Sequence, residues 1–388
     1  MERNIIVYFG MGFLPEQNAV ACREQVLSFL SKESGYIPVL IGINKEIPFN
    51  SYKKYNHDNV CCYDIKYAKT PIEKLKDTYV IRKTLISIFE DIGVEKIKCF
   101  IMQDYQFGPM KYLKKYCKAN GIAFVADIMD WFVPARYCSL VKNISKSIDT
   151  FLRMYCFYPR LDNKICITHK FEEQFKSKKN KNTMVLPSTC KDVTEELQNT
   201  KNASSNITIS FAGCLGENGA KERVDWVIKS LYENKSSIEF NIIGITKETF
   251  LLRFPEFEKL ITNNIHFWGQ LPHQECIKIL KHSDFSIIVR GSNKLTEFGF
   301  SSKICEAFAY GLPVIATNNS DNKLYIKDGI SGYICDSNYD SLNELLAEIE
   351  RLDKEEIYTM HQKMEKLNPL SPKNYIGDFS NFIDNLII

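Results

Sequence analysis

The stretch from Ile287 to Thr317 reads IIVRGSNKLTEFGFSSKICEAFAYGLPVIAT and decides the fold class. The β-branched run Ile287–Val289 predicts a short strand. A polar loop follows, and apolar spacing then predicts a helix that begins near Ser302 and ends before Gly311. A second strand is expected at residues 314–316. A strand, a helix and a strand at this spacing form a parallel, right-handed βαβ unit, so we predict an α/β fold.

The predicted helix has two features that suit a ligand. Its first turn leaves backbone N–H groups free around Ser301, Ser302 and Lys303, which is a natural site for a phosphate. Glu306 lies one turn further on, in an otherwise apolar helix. A diphosphate at the helix start and a ribose diol at Glu306 would fit a sugar nucleotide. Residue types alone favour the simpler interpretation, in which Glu306 is solvated on the outer face of an amphipathic helix.

The string FGFSSKICEAFAYGLPVIAT, followed by DGISGYICD at residues 328–336, resembles the donor-binding signature of retaining glycosyltransferases of family 4. The resemblance implies a GT-B fold, in which two Rossmann-like domains face each other across a cleft and a C-terminal helix crosses back. In that family the second Glu of a Glu-x7-Glu pair binds the ribose of the donor, and Glu306 matches it. Phe298 stands where the first Glu belongs, and Glu297 is one residue early.

A glycine-rich loop precedes this signature. Gly213, Gly216 and Gly219 follow a predicted strand at residues 207–211, and two cations, Lys221 and Arg223, stand just before the next helix. Such a loop can cradle a phosphate. By resemblance, Lys221 matches the basic residue that holds the donor phosphate. Arg290 is then expected to stabilise the leaving diphosphate together with Lys221 and the helix amides.

The N-terminal half opens with a strand predicted at residues 4–8, followed by Gly10 and Gly12. The dinucleotide fingerprint GxGxxG is incomplete here, which argues against a nicotinamide site. The loop resembles the acceptor-side glycine loop of GT-B enzymes. A tight turn that needs two glycines and no ligand explains the pattern as well.

Two carboxylates, Asp127 and Asp130, stand at the end of a strand predicted at residues 122–128. Ligands of open α/β sheets bind outside the carboxyl ends of strands, so both are candidate catalytic residues. The string VADIMDWFVP resembles the segment in which many members of the family place a His near the reacting sugar, and this chain has Met129 there. Either aspartate could instead cap the turn that follows.

Charge is unevenly distributed along the chain. Residues 1–200 carry 30 Lys and Arg against 22 Asp and Glu, and the remainder is acidic. Residues 135–160 combine regularly spaced apolar and aromatic side chains with lysines and arginines. Such a helix can lie on an anionic membrane surface, although most helices of this kind pack on their own domain. The charge has no nucleic-acid-binding motif beside it, and no apolar run is long enough to span a bilayer.

Thirteen cysteines without metal-ligand spacing, and no visible signal peptide, favour a cytoplasmic protein with free thiols. We expect an acceptor-side domain at residues 1–190, a linker at 191–206, a nucleotide-sugar-binding domain at 207–370 and a crossover helix at 371–388.

The resemblance implies a hexosyltransferase that uses a nucleoside-diphosphate sugar and a glycan or lipid-linked acceptor in capsule, exopolysaccharide or lipopolysaccharide biosynthesis. No DxD triplet is present, which is consistent with a reaction that needs neither a metal nor another cofactor. The alternative is a catalytically inactive GT-B subunit of a polysaccharide assembly complex, and Phe298 and Met129 favour it.

Overall fold

The computed structural model describes residues 3–12, 19–66, 71–131, 140–176, 182–190, 206–216, 221–366 and 368–388. The chain divides into two compact units. The first unit comprises Met1–Pro134, Ser139–Cys190 and Pro372–Ile388, and the second comprises Ala135–Cys138 and Lys191–Ser371.

The first unit is built on a sheet to which the described residues contribute eight strands. They are β1 (Ile5–Phe9), β2 (Ile37–Asn44), β3 (Tyr52–His57), β4 (Val60–Lys66), β5 (Ile97–Gln103), β6 (Ala123–Ile128), β7 (Asn163–Cys166) and β8 (Asn182–Val185). Their order is β3-β4-β2-β1-β5-β6-β7-β8. Every neighbouring pair is parallel except the β3–β4 hairpin. The inner strands are continuous apolar runs because helices cover both faces of a parallel sheet.

The helices of this unit lie between the strands. They are α1 (Ala19–Glu33), α2 (Pro71–Ile92), α3 (Phe107–Ala119), α4 (Leu140–Phe151) and α5 (His169–Gln174). A π-helix, Leu152–Phe157, continues α4, and short 3-10 turns lie at Val94–Lys96 and Tyr158–Arg160. The connection from β1 to β2 runs in one direction along the sheet, and those through α2, α3 and α4 run in the other. Right-handed crossovers therefore place α2, α3 and α4 on one face and α1 on the opposite face.

The second unit has a fully parallel sheet. Its described strands are β9 (Thr208–Ala212), β10 (Glu239–Ile243), β11 (Ile265–Gly269), β12 (Phe285–Ile288), β13 (Val314–Thr317) and β14 (Gly332–Cys335). The order β11-β10-β9-β12-β13-β14 is that of a Rossmann fold. Its helices are α6 (Val224–Glu233), α7 (Lys247–Arg253), α8 (His273–Lys281), α9 (Lys294–Phe298), α10 (Ser302–Ala309), α11 (Asn322–Tyr325), α12 (Tyr339–Ile349) and α13 (Lys354–Lys366), with a 3-10 turn at Pro255–Leu260.

The end of the chain belongs to the first unit. A 3-10 turn at Pro372–Tyr375 leads into α14 (Ile376–Asp384), whose side chains Phe379, Phe382 and Ile383 are buried in the core beside β1, β5 and α1. Polar contacts fix the same helix, because Asn182 Nδ2 on β8 donates to the Phe382 carbonyl at 2.7 Å.

The structure differs from the sequence-based expectation at several elements, among them strands β3 and β4 and helix α9. Strand β3 was not predicted, because YKKYNH is polar; it is an edge strand, where exposed lysines are common. The loop predicted after β12 contains α9, which begins with a capping box between Asn293 and Thr296. In the segment 135–160 the α-helix begins at Leu140 and ends at Phe151, where the π-helix takes over, and residues 135–139 lie outside the described chain.

Candidate functional site

Each sheet reverses its strand order at one place, between β1 and β5 in the first unit and between β9 and β12 in the second. Open α/β sheets bind ligands outside the carboxyl ends of the strands at such a switch point. Gly10 follows β1 and Asp104 follows β5, whereas Gly213 follows β9 and Arg290 lies two residues after β12. Gly10, Gly213 and Arg290, which the sequence singled out, therefore lie at these switch points, together with Asp104.

A buried carboxylate organises the cations of the second unit. Oε1 of Glu222 accepts hydrogen bonds from Arg290 Nη2 at 2.8 Å, Arg290 Nε at 3.2 Å and Lys303 Nζ at 3.0 Å. Burial raises the pKa of Glu222, but the charges of Arg290 and Lys303 outweigh it and lower that pKa to about 2. Glu222 is therefore ionised, and one anion balances only one of the two cations. The cluster keeps a net positive charge at the switch point.

Gly213 gives Lys303 its path to Glu222. The backbone of Gly213 has φ +153°, and a Cβ at this position would lie 2.3 Å from Lys303 Cε. A side chain at residue 213 and the observed Lys303 conformation therefore exclude each other. Gly213, which was predicted to lie in a phosphate-binding loop, thus gives the side chain of Lys303 room to cross the end of β9.

The N-cap residue of α10 does not cap the first turn of the helix with its side chain. Ser301 occupies the N-cap position with extended φ and ψ, yet its side chain makes no capping hydrogen bond. Its Oγ is buried and has no hydrogen-bond partner in the described part of the chain. The N–H groups of the first helical turn, which includes Ser302 and Lys303, are not capped by this hydroxyl and can bind an anion.

Glu306 lies one turn further along α10 and is partly buried. Its carboxylate accepts no hydrogen bond from another residue that the structure describes. Burial raises the pKa of Glu306, and the nearby charges of Lys303 and His273 oppose that shift. An ionised carboxylate is a pure acceptor with several lone pairs, which matches the two hydroxyls of a ribose.

Glu297 is held beside the ends of β12 and β13 by a chain of hydrogen bonds that the sequence did not reveal. The Arg290 N–H donates to Thr317 Oγ1 at 2.8 Å, and Thr317 Oγ1 contacts Asn319 Oδ1 at 2.7 Å. Oε1 of Glu297 then accepts from Asn319 Nδ2 at 3.1 Å and from Ser292 Oγ at 3.0 Å. The carboxylate of Glu297 is thereby fixed near the strand ends, although it stands one residue before Phe298.

The two cations of the glycine-rich loop differ in their surroundings. Arg223 donates to Asp225, with Nη2 2.6 Å from Oδ2, and its guanidinium lies 4.0 Å from the Trp226 ring centroid. These contacts hold its charge within the start of α6. The Cβ of Lys221 lies close to Gly216. A Cβ added at residue 216 would be 3.1 Å from it. Gly219, the third glycine of the loop, lies outside the described residues.

In the first unit, Gly10 and Gly12 surround a buried glutamate on α1. The Gly12 N–H donates to Glu24 Oε1 at 3.1 Å, and a Cβ at Gly10 would lie 2.1 Å from the same oxygen. Burial raises the pKa of Glu24 to about 8, so the side chain is largely neutral at pH 7. Its Oε2 is buried without a hydrogen-bond partner among the described residues. This close approach explains why residues 10 and 12 have no side chain.

Asp127 is fully buried rather than placed at a rim. Its Oδ1 pairs with Arg23 Nη2 at 2.7 Å, and its Oδ2 accepts from Tyr8 at 3.1 Å. Arg23 also donates to the carbonyl of Leu186 at 3.0 Å. These contacts tie α1, β1, β6 and the segment after β8 together, which is a structural role.

Asp130 has an exposed side chain, and Asp104 positions its backbone. Oδ2 of Asp104 accepts from the N–H groups of Met129 at 2.8 Å and Asp130 at 2.9 Å, while Oδ1 accepts from Tyr158 and Arg153. Burial raises the pKa of Asp104, and the Arg153 charge opposes that shift. Sequence reasoning missed Asp104, although its place directly after β5 was a usable signal.

A family model of the glycosyl transferases group 1 matches residues 193–366, which include the cation cluster and α10. Residues 193–366 therefore carry a glycosyltransferase group 1 domain. The chain is also 26% identical over 193 residues to an uncharacterized 41.2 kDa protein in the cps region of Klebsiella pneumoniae. That match covers 48% of this chain and 49% of the relative, so the chain spans about half the length of its curated relative.

Solved structures share the fold of this chain over nearly its whole length. Sucrose-phosphate synthase from Thermosynechococcus elongatus superimposes with a TM-score of 0.72 at 11% identity, over 98% of both chains. HepE from Anabaena, in complex with UDP and glucose, does so with a TM-score of 0.64 at 10% identity, over 99% of this chain and 100% of its own. The predicted fold class, GT-B with two Rossmann-like domains, is thereby confirmed.

Among the residues that the structure describes there is neither a metal-binding cluster nor a membrane-spanning helix. No group of three or more His, Cys, Asp or Glu side chains in that part of the chain is arranged to hold a metal ion. None of its helices combines the length and hydropathy that a membrane span requires.

Proposed function

We propose that the transferase moves a hexosyl unit, with retention of configuration, from a nucleoside-diphosphate sugar to a glycan or lipid-linked acceptor during synthesis of a surface polysaccharide. The arrangement of α10 supports this proposal best: Glu306 keeps an unshared carboxylate one turn after an uncapped helix start, beside a cluster with excess positive charge. The cps-region relative supports capsule, exopolysaccharide or lipopolysaccharide as the product, and the UDP complex of HepE supports a nucleotide sugar as the donor.

In this proposal the second unit binds the donor. The diphosphate lies at the first turn of α10, where the amides of Ser302 and Lys303 and the Lys303 ammonium meet the charge that develops on the leaving group. Arg290 contributes through the field of the cluster, because its side chain is buried against Glu222. Glu306 accepts hydrogen bonds from the ribose. Such an arrangement supplies cations and helix amides in place of a metal, so we propose a metal-independent reaction.

The first unit binds the acceptor in the same proposal. Asp130 orients an acceptor or sugar hydroxyl with its exposed carboxylate, and the leaving phosphate oxygen takes the acceptor proton. Asp127 supports this site indirectly, through its buried pair with Arg23. The protein would work in the cytoplasm, with peripheral contact to the inner face of the membrane where a lipid-linked acceptor is presented.

The donor site is tested by nucleotide-sugar binding. Among nucleotide sugars screened by calorimetry, we expect at least one to bind, and Glu306→Gln to weaken its binding by at least about tenfold, the value of one preorganised charged contact. Glu344→Gln, an exposed glutamate on α12, is the matched control and should bind as the wild type does. Equal donor affinity in Glu306→Gln and the wild type would contradict this site.

The competing function is a catalytically inactive GT-B subunit of a polysaccharide assembly complex. Phe298 in place of the first Glu of the motif, and Met129 in place of the His, favour it. Sugar transfer distinguishes the two functions, because both can bind a nucleotide sugar and only the enzyme consumes it. If Glu297 takes over the role of the missing Glu, Glu297→Gln should lower the transfer rate, whereas an inactive subunit has no rate to lose.

A further inference from the structure

Helix α4 and the π-helix after it expose a continuous apolar stripe. Five large side chains at a spacing of three or four residues form it, with exposed fractions of 44–75%. They are Leu140, Ile144, Ile148, Phe151 and Tyr155. The rings of Phe151 and Tyr155 lie 5.2 Å apart, so the stripe continues across the change from α-helix to π-helix. Single exposed apolar residues are ordinary, but a contiguous row of this kind marks a contact surface.

The neighbouring helix α3 supplies positive charge. Its thirteen residues include four lysines and no acidic residue. The lysines recur at helical spacing on the side away from the buried Met110, Leu113 and Cys117. They are Lys111, Lys114, Lys115 and Lys118. Three of the four, all but Lys114, are exposed.

The two helices belong to one layer of the first unit. The connections through α3 and α4 run in the same direction along the sheet, so right-handed crossovers place both helices on the same face. Direct contacts join them. The Phe107 N–H at the start of α3 donates to Asp149 Oδ1 on α4 at 2.8 Å, and the Phe107 ring lies 5.8 Å from that of Phe157. The lone acidic side chain of α4 is thus used internally, which leaves the layer basic.

We infer that the layer formed by α3 and α4 is a docking surface for an anionic lipid bilayer. The apolar stripe would enter the boundary between headgroups and acyl chains, and the lysines of α3 would contact anionic headgroups. Charge complementarity favours this occupant over a second copy of the chain, because two identical basic layers would repel each other. The inference rests on the membrane contact of the proposed function and names the surface that makes it, but it requires no bound donor and no turnover.

The test is co-sedimentation of the full-length protein with vesicles of phosphatidylcholine alone or of phosphatidylcholine mixed with phosphatidylglycerol. We expect binding to the mixed vesicles, weakened by added salt. Ile144→Ser combined with Ile148→Ser should reduce this binding by at least about tenfold, because two half-exposed Ile side chains lose their place in the bilayer. Leu252→Ser, at a site 87% exposed on the second unit, is the matched control and should bind as the wild type does.

A second set of variants tests the charge. Lys111→Gln, Lys115→Gln and Lys118→Gln together should weaken binding to the mixed vesicles by at least about tenfold, because three lysines lose their attraction to the anionic surface. The control replaces three exposed lysines of the second unit by Gln and should have no effect. These are Lys247, Lys259 and Lys278.

Three outcomes would overturn the inference. They are absence of binding to mixed vesicles, equal binding to both kinds of vesicle, and unchanged binding in both variant sets. A wild-type dimer that the serine variant converts to monomer would assign the stripe to a second copy, and binding of duplex DNA by the lysines without vesicle binding would assign them to nucleic acid. Donor affinity is measured on the same samples. Loss of vesicle binding with intact donor binding, or the reverse, separates failure of this inference from failure of the proposed function.

Discussion

Glu222 is the residue on which the cation cluster of the second unit depends. We expect Glu222→Gln to lower the free energy of unfolding by about 3 kcal/mol, because it leaves the buried Arg290 and the nearby Lys303 without a counter-charge. Urea denaturation measures the loss. Lys229→Gln breaks an exposed pair with Glu233 and should cost below about 1 kcal/mol. A donor diphosphate would restore negative charge, so it should raise the melting temperature of the variant more than that of the wild type. Equal stability of Glu222→Gln and Lys229→Gln would contradict this role.

Glu24 makes the stability of the first unit depend on pH. Burial raises the pKa of Glu24 from 4.5 to about 8, so the folded form keeps a proton that the unfolded form has lost. The contribution of Glu24 to the free energy of unfolding is therefore fully present below pH 4.5, where both forms are protonated. It falls by up to about 1.4 kcal/mol per pH unit between pH 4.5 and pH 8. Glu24→Gln stays neutral at every pH. We expect it to gain stability relative to the wild type between pH 5 and pH 8, with no further gain above that range.

The fluorescence of Trp131 can measure the difference in stability between Glu24→Gln and the wild type, because Trp131 lies in the first unit. The other two tryptophans, Trp226 and Trp268, lie in the second unit. Replacing those two by Phe isolates the signal. If the free energy of unfolding changed with pH in the same way for Glu24→Gln and for the wild type, the prediction of a raised pKa for Glu24 would be contradicted.

At the scale of elements, the position of Lys303 on helix α10 depends on Gly213 in the loop after β9. Gly213→Ala introduces a Cβ at φ +153°, 2.3 Å from Lys303 Cε, so Lys303 has to leave its position. We expect donor affinity to fall by at least about tenfold, measured by calorimetry. Gly291→Ala is the control, because a Cβ there has no heavy atom within 4 Å and the backbone has no positive φ. Donor binding by Gly213→Ala at wild-type affinity would show that Lys303 is not needed in this place.

The same elements show what a sequence can and cannot predict. The strands β12 and β13 and helix α10 were predictable because apolar periodicity and the Gly311 stop signal are local properties of the chain. Glu222 was not, because its role depends on Arg290 and Lys303, which are 68 and 81 residues away and meet it only through the strand order. Glu306 was identified by resemblance to a family, since a single glutamate on a helix carries little information.

Predicting the roles of residues in the first unit requires contacts between residues that are still further apart in the sequence. Asp127 stands at a strand end, as a catalytic residue would, and only the fold reveals that Arg23, 104 residues earlier, neutralises it inside the core. The glycines at residues 10 and 12 were recognisable as a loop. That they make room for Glu24 depends on the packing of α1 against β1, which periodicity does not encode.

For the whole molecule, the feature that matters most is the return of the C-terminal segment to the first unit. Ending the chain after Ser371 removes Phe379, Phe382 and Ile383 from the core, each worth roughly 2–3 kcal/mol of burial. That loss approaches the total stability of a domain, so we expect the first unit to unfold. Trp131 fluorescence and limited proteolysis would report it. Removing only Ile388, which is 63% exposed, should leave both readouts unchanged. A truncated protein with a protected first unit would contradict this expectation.

This return also sets an order of events on the ribosome. The first unit is translated up to Cys190, yet the helix that completes its core follows only after the 181 residues of Lys191–Ser371. At 5–20 residues per second the nascent chain waits roughly 10–40 s before α14 can cover the apolar side chains of the first unit that it contacts. The second unit, whose Lys191–Ser371 stretch is continuous, can fold during that interval. The half of the protein that is synthesised first therefore finishes folding last, and during the delay it is a substrate for chaperones that bind exposed apolar surface.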